Sequence, residues 1–483
     1  MDLRHMISQG SWHDNWAGLH VAVLGLGKSG FSVADTLCEL GAEVTVFAQS
    51  ANAQFSELLE VIGAKLVLSD SVESLKSLTQ IDFAVVSPGF PPSHPTIQWL
   101  SQSGIPMLTD IDLAWRLRDK TDRVAKWLTI TGTNGKTTTT ELVTHMLQTA
   151  GYRAISCGNI GNPILDAVRD PEGFDYLVVE ISSFQLHYSG EFNPAASAFL
   201  NLAPDHIDWH GSEQAYFAAK AKVYQGTELA IVYNAADAKT LEAAEAADVV
   251  EGCRAVAFTT GMPSVSMVGY VEEYLVDRAF ISDRYAAALE IAEESDLEAI
   301  GVLSEHLRAN VAAATALARA LDVEPAVIKQ AIASFELSPH RIQKVLQHDG
   351  VLFIDDSKAT NAHAANASLS SFDSIVWIVG GLLKGVDPTP LLLEHGSKLK
   401  AAVVIGADTH ELEGLFANLL PNLPLKVISG ESVMEQAVGF ALGFAGPGDT
   451  VLLAPAAASM DQFQDYADRG NQFQAEVRRQ VIQ

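Results

Sequence analysis

The chain has 483 residues, of which 48% are hydrophobic, and its formal net charge is −28. This length exceeds what one hydrophobic core supports, so we predict several domains of roughly 100–200 residues each. The negative charge disfavours binding to duplex nucleic acid or to an anionic membrane, because both require a cationic face. It does not exclude nucleotide binding, since a polyphosphate requires only a local patch of cations and N–H groups.

Neither a membrane span nor a secretion signal is predicted. The apolar runs have at most the length of a strand, well below the roughly 18 residues that cross a bilayer. The opening residues, MDLRHMISQGSWHDNW, lack the apolar core of a signal peptide. Cys38, Cys157 and Cys253 form no CxxC pair, which favours reduced thiols over disulfides or a metal site. We therefore expect a cytoplasmic protein.

Short β-type runs alternate with helical stretches, which is typical of α/β domains with largely parallel sheets. The predicted strands form three sets: 21–24, 44–47 and 83–86; then 127–130, 176–181, 197–201 and 230–233; then 352–354, 375–379, 402–405 and 451–453. Two connections, at 116–126 and 336–341, have the composition of domain boundaries. We predict three domains, comprising residues 1–120, 121–337 and 338–483.

A glycine-rich loop follows the first predicted strand. Residues 25–30 read GLGKSG, which fits GxGxxG between a strand and a helix and indicates a dinucleotide-type fold. Ala48 and Gln49 stand at the end of the next strand, where an acidic ribose ligand is usual in that fold. The loop fits a diphosphate, and it also fits a glycine turn that only packs a helix against a strand.

A second glycine loop lies between the predicted strand 127–130 and a predicted helix at 141–149. Residues 131–138 read TGTNGKTT, so backbone N–H groups and a helix N-terminus would surround an anion. Lys136 would reach the β- and γ-phosphates of a nucleotide, and the Thr137 hydroxyl would bind Mg²⁺. Gly132 precedes Gly135 by three residues, not the usual five. The alternative is a glycine turn before an ordinary helix.

Two later segments carry candidate metal ligands. Glu180 ends an apolar strand, where a carboxylate facing the phosphate loop would bind Mg²⁺ directly or through water. The segment 201–211, NLAPDHIDWHG, clusters His and Asp residues after another strand, and Lys220 follows it. Spacing alone leaves a metal site and a simple turn equally open for this cluster.

Eight segments together resemble the Mur ligase family, the ATP-dependent amide-forming enzymes of peptidoglycan synthesis. In family order they are TGTNGKTT (131–138), GNIGNP (158–163), EISSFQL (180–186), NLAPDHIDWHG (201–211), AYFAAKAKVY (215–224), SPHR (338–341), DDSKATN (355–361) and APAAASMDQFQDYADRGNQF (454–473). The resemblance spans almost the whole chain. SSFQL, DSKATN and the SxDQF…RG pattern are most similar to the members that add D-glutamate to UDP-N-acetylmuramoyl-L-alanine.

The resemblance implies a fold and a set of site residues. The fold is a Rossmann-like N-terminal domain, a central P-loop mononucleotide-binding domain and a Rossmann-like C-terminal domain. The implied ATP site contains Gly132, Thr133, Asn134, Gly135, Lys136, Thr137, Thr138, Asn310, Arg341 and Asp356. The implied site for the UDP substrate contains Lys28, Ser29, Gly30, Asn159, Ser182, Gln185 and His206. The implied amino-acid site contains Lys358, Thr360, Lys384, Ser459 and Tyr466. Thr137, Glu180, His206 and Lys220 are the implied Mg²⁺ ligands, with Lys220 carbamylated, and Lys136, Lys220, His206 and Glu180 the catalytic set.

Three motifs depart from the family pattern. Ala48 stands where an Asp contacting uracil is usual. Leu307 replaces the first Asn of an HNxxN pattern, and Leu382 and Leu383 replace a polar pair in GGxxKG. These departures concern substrate detail and leave the phosphate-transfer residues intact.

The resemblance implies carboxylate activation by ATP, followed by attack of the D-glutamate amine, by a monomeric enzyme with small-molecule substrates. Three other functions stay open on the sequence. One is a sister ligase with another amino acid or a folate-type acceptor, and another is a dinucleotide-dependent oxidoreductase built on residues 25–30. The third is a P-loop NTPase that moves a partner without making a bond.

Overall fold

The computed structural model describes residues 3–51, 53–298, 300–383 and 387–481. The chain divides into two compact units. The first comprises Met1–Ala292 and Ala309–Ala331, and the second comprises Glu293–Arg308 and Ile332–Gln483. Among the described residues, no helix is both long and apolar enough to cross a membrane.

The first sheet is parallel, with the order β3-β2-β1-β4-β5 in the described residues. Its elements are α1 (Leu3–Gln9), β1 (His20–Leu24), α2 (Lys28–Glu39), β2 (Glu43–Phe47), α3 (Ala53–Ile62), β3 (Lys65–Val67), α4 (Val72–Lys76), β4 (Phe83–Val86), α5 (Pro95–Gln102), β5 (Met107–Leu108) and α6 (Asp110–Arg116). Strands β1, β2 and β4 are almost continuously buried apolar runs, because helices cover both faces of a parallel sheet.

The second sheet has the order β14-β13-β12-β11-β10-β9-β6-β8-β7 in the described part of the chain. Its elements and the helices around them are β6 (Lys126–Thr131), α7 (Lys136–Thr149), β7 (Ala154–Gly158), α8 (Ile164–Val168), β8 (Tyr176–Glu180), α9 (Ser183–Tyr188), β9 (Ala196–Phe199), α10 (Ile207–His210), α11 (Glu213–Ala221), β10 (Ala230–Asn234), α12 (Ala238–Glu245), β11 (Arg254–Phe258), β12 (Met267–Val271), β13 (Tyr274–Asp277), β14 (Leu289–Glu293), α13 (Glu294–Leu297), α14 (Glu305–Ala320) and α15 (Pro325–Ser334). A 3₁₀ turn, Lys222–Tyr224, follows α11.

The register of this sheet positions the phosphate loop. Parallel pairing sets Ile130 of β6 beside Glu180 of β8, and Thr131 beside Phe199 of β9. The carboxyl ends of three neighbouring strands therefore meet at the point where the loop begins. Ligands of open α/β sheets bind at this edge.

The third sheet lies in the second unit, with the order β15-β16-β20-β17-β18-β19 in the described residues. Its elements are β15 (Gln343–His348), β16 (Val351–Asp355), α16 (Ala362–Ser370), β17 (Ile375–Gly380), α17 (Thr389–His395), β18 (Leu399–Ile405), α18 (His410–Leu419), β19 (Leu425–Ile428), α19 (Val433–Phe444), β20 (Thr450–Leu453) and α20 (Tyr466–Val481). Strands β15 and β16 pair antiparallel, and the other pairs are parallel.

The three predicted sets of strands are confirmed, each in its own sheet. Strands β11 to β14 extend the second sheet beyond the predicted set, and β12 and β13 pair antiparallel. The predicted domain limits at 120/121 and 337/338 stay predictions. Residues 293–308, placed by sequence in the central domain, pack with the second compact unit.

A buried ion pair joins the sheet extension to helix α14. Arg319 Nε donates to Asp277 Oδ2 at 3.0 Å, and the backbone N–H groups of Ala279 and Phe280 donate to Asp277 Oδ1. Asp277 is fully buried. The buried carboxylate therefore accepts hydrogen bonds from three donors.

We expect Asp277→Ala to lower the free energy of unfolding by about 3–5 kcal/mol, because it leaves the Arg319 guanidinium buried without its counter-ion. Urea unfolding followed by far-UV circular dichroism measures the change. The matched control is Lys239→Ala, which breaks the half-exposed Lys239–Glu242 pair and should cost at most about 1 kcal/mol. Equal losses in the two variants would contradict the expectation.

Candidate active site

Polar contacts from neighbouring segments fix the conformation of the loop between β6 and α7. The Thr133 N–H donates to the Asn201 carbonyl at 2.9 Å, and the Asn134 N–H donates to Asn201 Oδ1 at 2.9 Å. Gly135 has φ +80°, and a Cβ there would lie 2.3 Å from Asn310 Oδ1. Only glycine satisfies both the left-handed backbone and this close approach.

The first turn of α7 can receive an anion. Within the described chain, no side chain caps the N-terminus of α7, so its first N–H groups and the positive end of the helix dipole face the loop. Lys136 Nζ donates to the carbonyls of Gly132 and Thr133 at 2.9 and 2.8 Å. The Lys136 ammonium therefore lies against the loop, at the place where a phosphate would bind. Thr137 and Thr138 are buried in the same turn.

Glu180 is the carboxylate of this edge, and both of its oxygens are held. The Thr137 hydroxyl donates to Oε2 at 2.8 Å, and the Asn159 side-chain amide donates to Oε1 at 2.9 Å. The Asn159 N–H also donates to the Glu180 carbonyl at 2.8 Å. Gly158 permits this approach, since it has φ +95° and a Cβ there would lie 2.4 Å from that carbonyl oxygen. Glu180 is 3% exposed.

Lys220 is buried beneath the phosphate loop. Its side chain comes from α11, is 2% exposed, and its Nζ donates to the Gly132 carbonyl at 2.7 Å. Burial lowers the pKa of Lys220 well below its usual value, and the nearby Lys136 charge lowers it further. A protonated amine here is therefore unfavourable on two counts, desolvation and like-charge repulsion.

His206 lies near both lysines with an unusual backbone. It has φ +54° and caps α10, and its ring contacts Phe184 with a centroid distance of 4.7 Å. Burial lowers the pKa of His206, and Lys220 and Lys136 lower it further against the opposing Asp205. The imidazole is therefore neutral at pH 7, the form that binds metals.

These donors fit Mg²⁺ when a nucleotide is present. Magnesium prefers oxygen ligands and usually takes one or two carboxylates together with substrate phosphates and water. The Thr137 hydroxyl and Glu180 carboxylate meet beside the loop that would hold those phosphates. In the described residues, no group of three or more His, Cys, Asp or Glu side chains could hold a metal ion by itself. The site therefore fits a cation shared with a substrate.

The other glycine loop leads into α2, and its predicted contact with the UDP substrate stays a prediction. Lys28 is exposed, Ser29 is half-buried and Gly30 is buried in the first turn. No described side chain caps this helix either. Ala48 is buried and Gln49 is exposed.

Ser182 and Gln185 form a buried capping box at the start of α9. The Gln185 N–H donates to Ser182 Oγ, and Gln185 Oε1 accepts from the Ser182 N–H and hydroxyl at 3.1 and 3.0 Å. The Gln185 amide nitrogen donates to Asp110. Their contact with the substrate stays a prediction. Their hydrogen bonds to each other fix the first turn of α9, which follows Glu180 in the chain.

In the second unit, Arg341 and Asp356 lie close together. Asp356 is buried, accepts from the Ile342 N–H at 3.2 Å and is contacted by the Ser368 hydroxyl. Burial raises the pKa of Asp356 to about 6, against the opposing Arg341 charge. Among the described residues, Arg341 Nε is buried without a hydrogen-bond partner. An unused guanidinium donor of this kind suits a phosphate oxygen.

Two of the predicted amino-acid residues, Lys358 and Tyr466, contact each other. Lys358 Nζ donates to the Tyr466 hydroxyl at 3.2 Å and lies 4.8 Å from the centre of its ring. Thr360 is half-buried and donates its N–H to the Lys358 carbonyl at 2.9 Å, and Ser459 is buried. The predicted contact of Lys384 lies outside the described residues.

Three family models match the chain in order. They are the Mur ligase MurD-like N-terminal domain at residues 19–109, the Mur ligase middle domain at 130–318 and the Mur ligase glutamate ligase domain at 340–457. A UDP-N-acetylmuramoylalanine–D-glutamate ligase from Leifsonia xyli is 51% identical over 484 residues, covering 97% of this chain and 94% of that protein. The enzyme of the same name from Streptomyces coelicolor is 45% identical, covering 96% and 98%. The chain belongs to the Mur ligase family.

Solved structures agree with the fold of this Mur ligase. UDP-N-acetylmuramate–alanine ligase from Thermotoga maritima matches with a TM-score of 0.55 at 16% identity, over 95% of this chain and 99% of that one. MurF ligase from the same organism, in complex with ADP, matches with a TM-score of 0.54 at 16% identity, over 99% of both chains. The predicted family and the three-domain α/β class are confirmed.

Sequence reasoning missed several residues that shape the site of this Mur ligase. Asn201 holds two N–H groups of the phosphate loop, and the Tyr216 hydroxyl lies 3.1 Å from Thr133 Oγ1. Asn201 and Tyr216 lie in the segments 201–211 and 215–224, which carry the family resemblance, so their place in these segments could have marked them as site residues. Asp110 has no such signal, because its contact with Gln185 spans 75 residues of sequence.

Proposed function

We propose that this Mur ligase joins D-glutamate to UDP-N-acetylmuramoyl-L-alanine, with conversion of ATP to ADP and phosphate. The observation that carries the proposal is 44–51% sequence identity, over 96–97% of this chain, to ligases with this name. The convergence of Lys136, Thr137, Glu180 and Lys220 at one sheet edge supplies the carboxylate-activating chemistry.

In the first step, a carboxylate oxygen of the UDP substrate attacks the γ-phosphorus of ATP. The new O–P bond forms as the bond from that phosphorus to the bridging oxygen breaks, giving an acyl phosphate and ADP. Two anions must approach each other, so positive charge has to offset their repulsion. Lys136 and the uncapped first turn of α7 supply it on the phosphate side. Arg341, which the family resemblance assigns to the ATP site, would add a further cation.

Mg²⁺, held by Thr137 and Glu180 and joined by His206 and Lys220, would neutralise the phosphate charge as it develops. The Lys220 amine would first add CO₂, forming an N–C bond with loss of one proton. The resulting carbamate carries one negative charge, where the neutral amine carries none and the ammonium a positive one, and it offers two oxygen ligands. It also ends the repulsion between Lys220 and Lys136 described above.

In the second step, the neutral amine of D-glutamate attacks the acyl carbon, and phosphate leaves as the amide forms. Lys358 and Tyr466, with Thr360, Ser459 and Lys384, would bind the amino acid by its carboxylates. The loop at residues 28–30 would hold the UDP diphosphate, with Asn159, Ser182, Gln185 and His206 toward the rest of that substrate. Gly132–Thr138, Asn310, Arg341 and Asp356 would bind ATP.

We expect the reaction to take place in the cytoplasm, where free thiols persist. Cys157 is buried, Cys38 and Cys253 are half-buried, and burial raises the pKa of each. We also expect the enzyme to act as a monomer on small-molecule substrates.

The test is phosphate release with ATP, Mg²⁺ and UDP-N-acetylmuramoyl-L-alanine against a panel of amino acids. We expect release only with D-glutamate and near silence when either substrate is omitted. Release with a different amino acid would replace the proposed substrate by that of a sister ligase. Release with ATP alone would indicate a plain NTPase.

Asn159 should affect the metal as well as the substrate, because its amide fixes one oxygen of Glu180. We expect Asn159→Ala to raise the Mg²⁺ concentration for half-maximal activity by about tenfold or more, as loss of such a supporting contact usually does. Calorimetric titration of Mg·ADP without UDP substrate should show the same loss.

The matched control for this variant is Asn162→Ala. Asn162 is exposed and contributes its backbone carbonyl to Gly158, a contact that alanine retains. A raised KM for the UDP substrate with unchanged Mg²⁺ dependence would assign Asn159 to substrate binding alone.

A further inference from the structure

A carboxylate outside the predicted site, Asp110, lies in the interior of the first unit. It opens helix α6 and is 4% exposed. Its oxygens accept from the Gln185 side-chain amide, both at 3.1 Å, and Oδ1 also accepts from the Ile111 N–H at 3.0 Å. Burial raises the pKa of Asp110, and the nearby Asp112 charge raises it further. Among the contacts of the described residues, Asp110 has no cationic partner.

The contact with Asp110 decides which way the Gln185 amide faces. With its nitrogen turned to Asp110, its oxygen must face Ser182, where it accepts from the N–H and the hydroxyl. A rotated amide would set oxygen against the carboxylate and nitrogen against the Ser182 N–H. One buried carboxylate thus orients both Gln185 and the Ser182 hydroxyl.

The segment so oriented begins two residues after Glu180. It also carries Phe184, which packs on His206 and Trp209 with centroid distances of 4.7 and 4.6 Å. A second set of contacts holds the far end of α9, where the Gly190 N–H donates to Asp112 at 2.8 Å. Helix α6 therefore contacts both the start of α9 and the residues just after it. Of these two contacts, only the one made by Asp110 involves a residue assigned to the substrate.

If the contact between Asp110 and Gln185 served only to pack α6 against α9, a carboxylate would not be required at position 110. Burying a carboxylate without a cation costs free energy, and an amide–amide or apolar pair would fill the same place without that cost. In this structure both oxygens of Asp110 act as acceptors, so only one orientation of the Gln185 amide is satisfied. The residues whose orientation is fixed in this way, Ser182 and Gln185, are the ones that the family resemblance assigns to the UDP substrate.

We propose that Asp110 is a positioning residue for the UDP substrate, acting through Gln185 on the segment Ser182–Gln185. The inference rests on the proposed function, since it assigns that segment to UDP-N-acetylmuramoyl-L-alanine. It adds a residue from the helix before the phosphate-loop strand to the determinants of substrate affinity.

The test exchanges donor and acceptor between the two helices. Asp110→Asn leaves a buried amide donor without an acceptor, and Gln185→Glu sets two carboxylates face to face. We expect each single variant to weaken binding of UDP-N-acetylmuramoyl-L-alanine by about tenfold or more. Mg·ADP binding to the full-length enzyme should stay within about twofold, because the phosphate loop is untouched. In the double variant the amide lies on α6 and the carboxylate on α9, so the contact forms again, and binding should recover to within about threefold of wild type.

Calorimetry of both ligands and thermal unfolding of all variants measure these effects. Asp112→Asn is the matched control: it changes a buried carboxylate on the same helix and should lower thermal stability without a selective loss of UDP-substrate binding. Unchanged UDP-substrate binding in Asp110→Asn would overturn the inference. So would an equal loss for both ligands, or no recovery in the double variant. Absence of binding by the wild-type enzyme would overturn the proposed function, and this inference with it.

Discussion

We expect Lys136→Ala to abolish phosphate release, with a loss of at least about a thousandfold in kcat/KM, or about 4 kcal/mol of transition-state stabilisation. Lys136 is the cation at the mouth of the loop, where its ammonium already contacts the Gly132 and Thr133 carbonyls. When a triphosphate enters, the ammonium can turn to the β- and γ-oxygens without moving the backbone. Nothing else in the loop carries a positive charge, because residues 131–135 and 137–138 are Thr, Gly and Asn.

The fold of the Lys136→Ala variant should be intact, since the side chain is half-buried and water can take its place at the Gly132 and Thr133 carbonyls. Thermal unfolding within a few degrees of wild type, together with full activity of the exposed-lysine control Lys344→Ala, would isolate the loss to the site. Turnover near the wild-type rate in Lys136→Ala would remove the phosphate-loop assignment.

The second large effect concerns Lys220. We expect Lys220→Ala to be nearly inactive and to regain part of its activity when short carboxylic acids such as acetate or formate are added. A carbamate is chemically a carboxylate at the end of the lysine stem, and removal of the stem leaves a space beneath Gly132 that a small carboxylate can occupy. Rescue by a carboxylate, but not by a small amine, would distinguish a lost carbamate from a lost ammonium.

Two variants control for the rescue. Lys222→Ala removes a neighbouring lysine whose Nζ donates to the His187 carbonyl at 2.9 Å, and it should keep most of the activity. Lys136→Ala should gain nothing from carboxylic acids, since its role requires positive charge. Full activity of Lys220→Ala without additives would exclude the carbamate.

Much of the fold could be predicted from local sequence patterns. The strands at 127–130 and 176–181 were predicted because buried parallel strands are short apolar runs, and the helix after the phosphate loop because a glycine turn precedes it. The extension by β11 to β14 was not predicted. Its strands are short and carry charges such as Arg254, Asp277 and Glu293 at their ends. They therefore resemble solvated loops until pairing within the sheet, parallel for β11 and antiparallel between β12 and β13, supplies their hydrogen bonds.

The candidate site divides in the same way. Lys136, Thr137 and Glu180 follow strand ends, and chain order alone predicts that the carboxyl ends of parallel strands share one edge. The role of Asn159 was predicted as a substrate contact, and its hydrogen bond to Glu180 depends on the pairing of β7 with β8. Asp110 depends on a contact between two helices far apart in sequence, which no local rule describes.

By itself, the sequence determined that this protein has a glycine-rich loop between a strand and a helix, α/β domains and the ordered segments of a Mur ligase, because these depend on residue identity and short-range spacing. The tertiary structure alone decided which polar groups are buried together. Lys220 lies under Gly132, Asn159 and Thr137 hold the two oxygens of Glu180, and Asp110 faces Gln185. Desolvation and hydrogen-bond geometry set the chemistry of these groups, and both arise only when distant segments pack against one another.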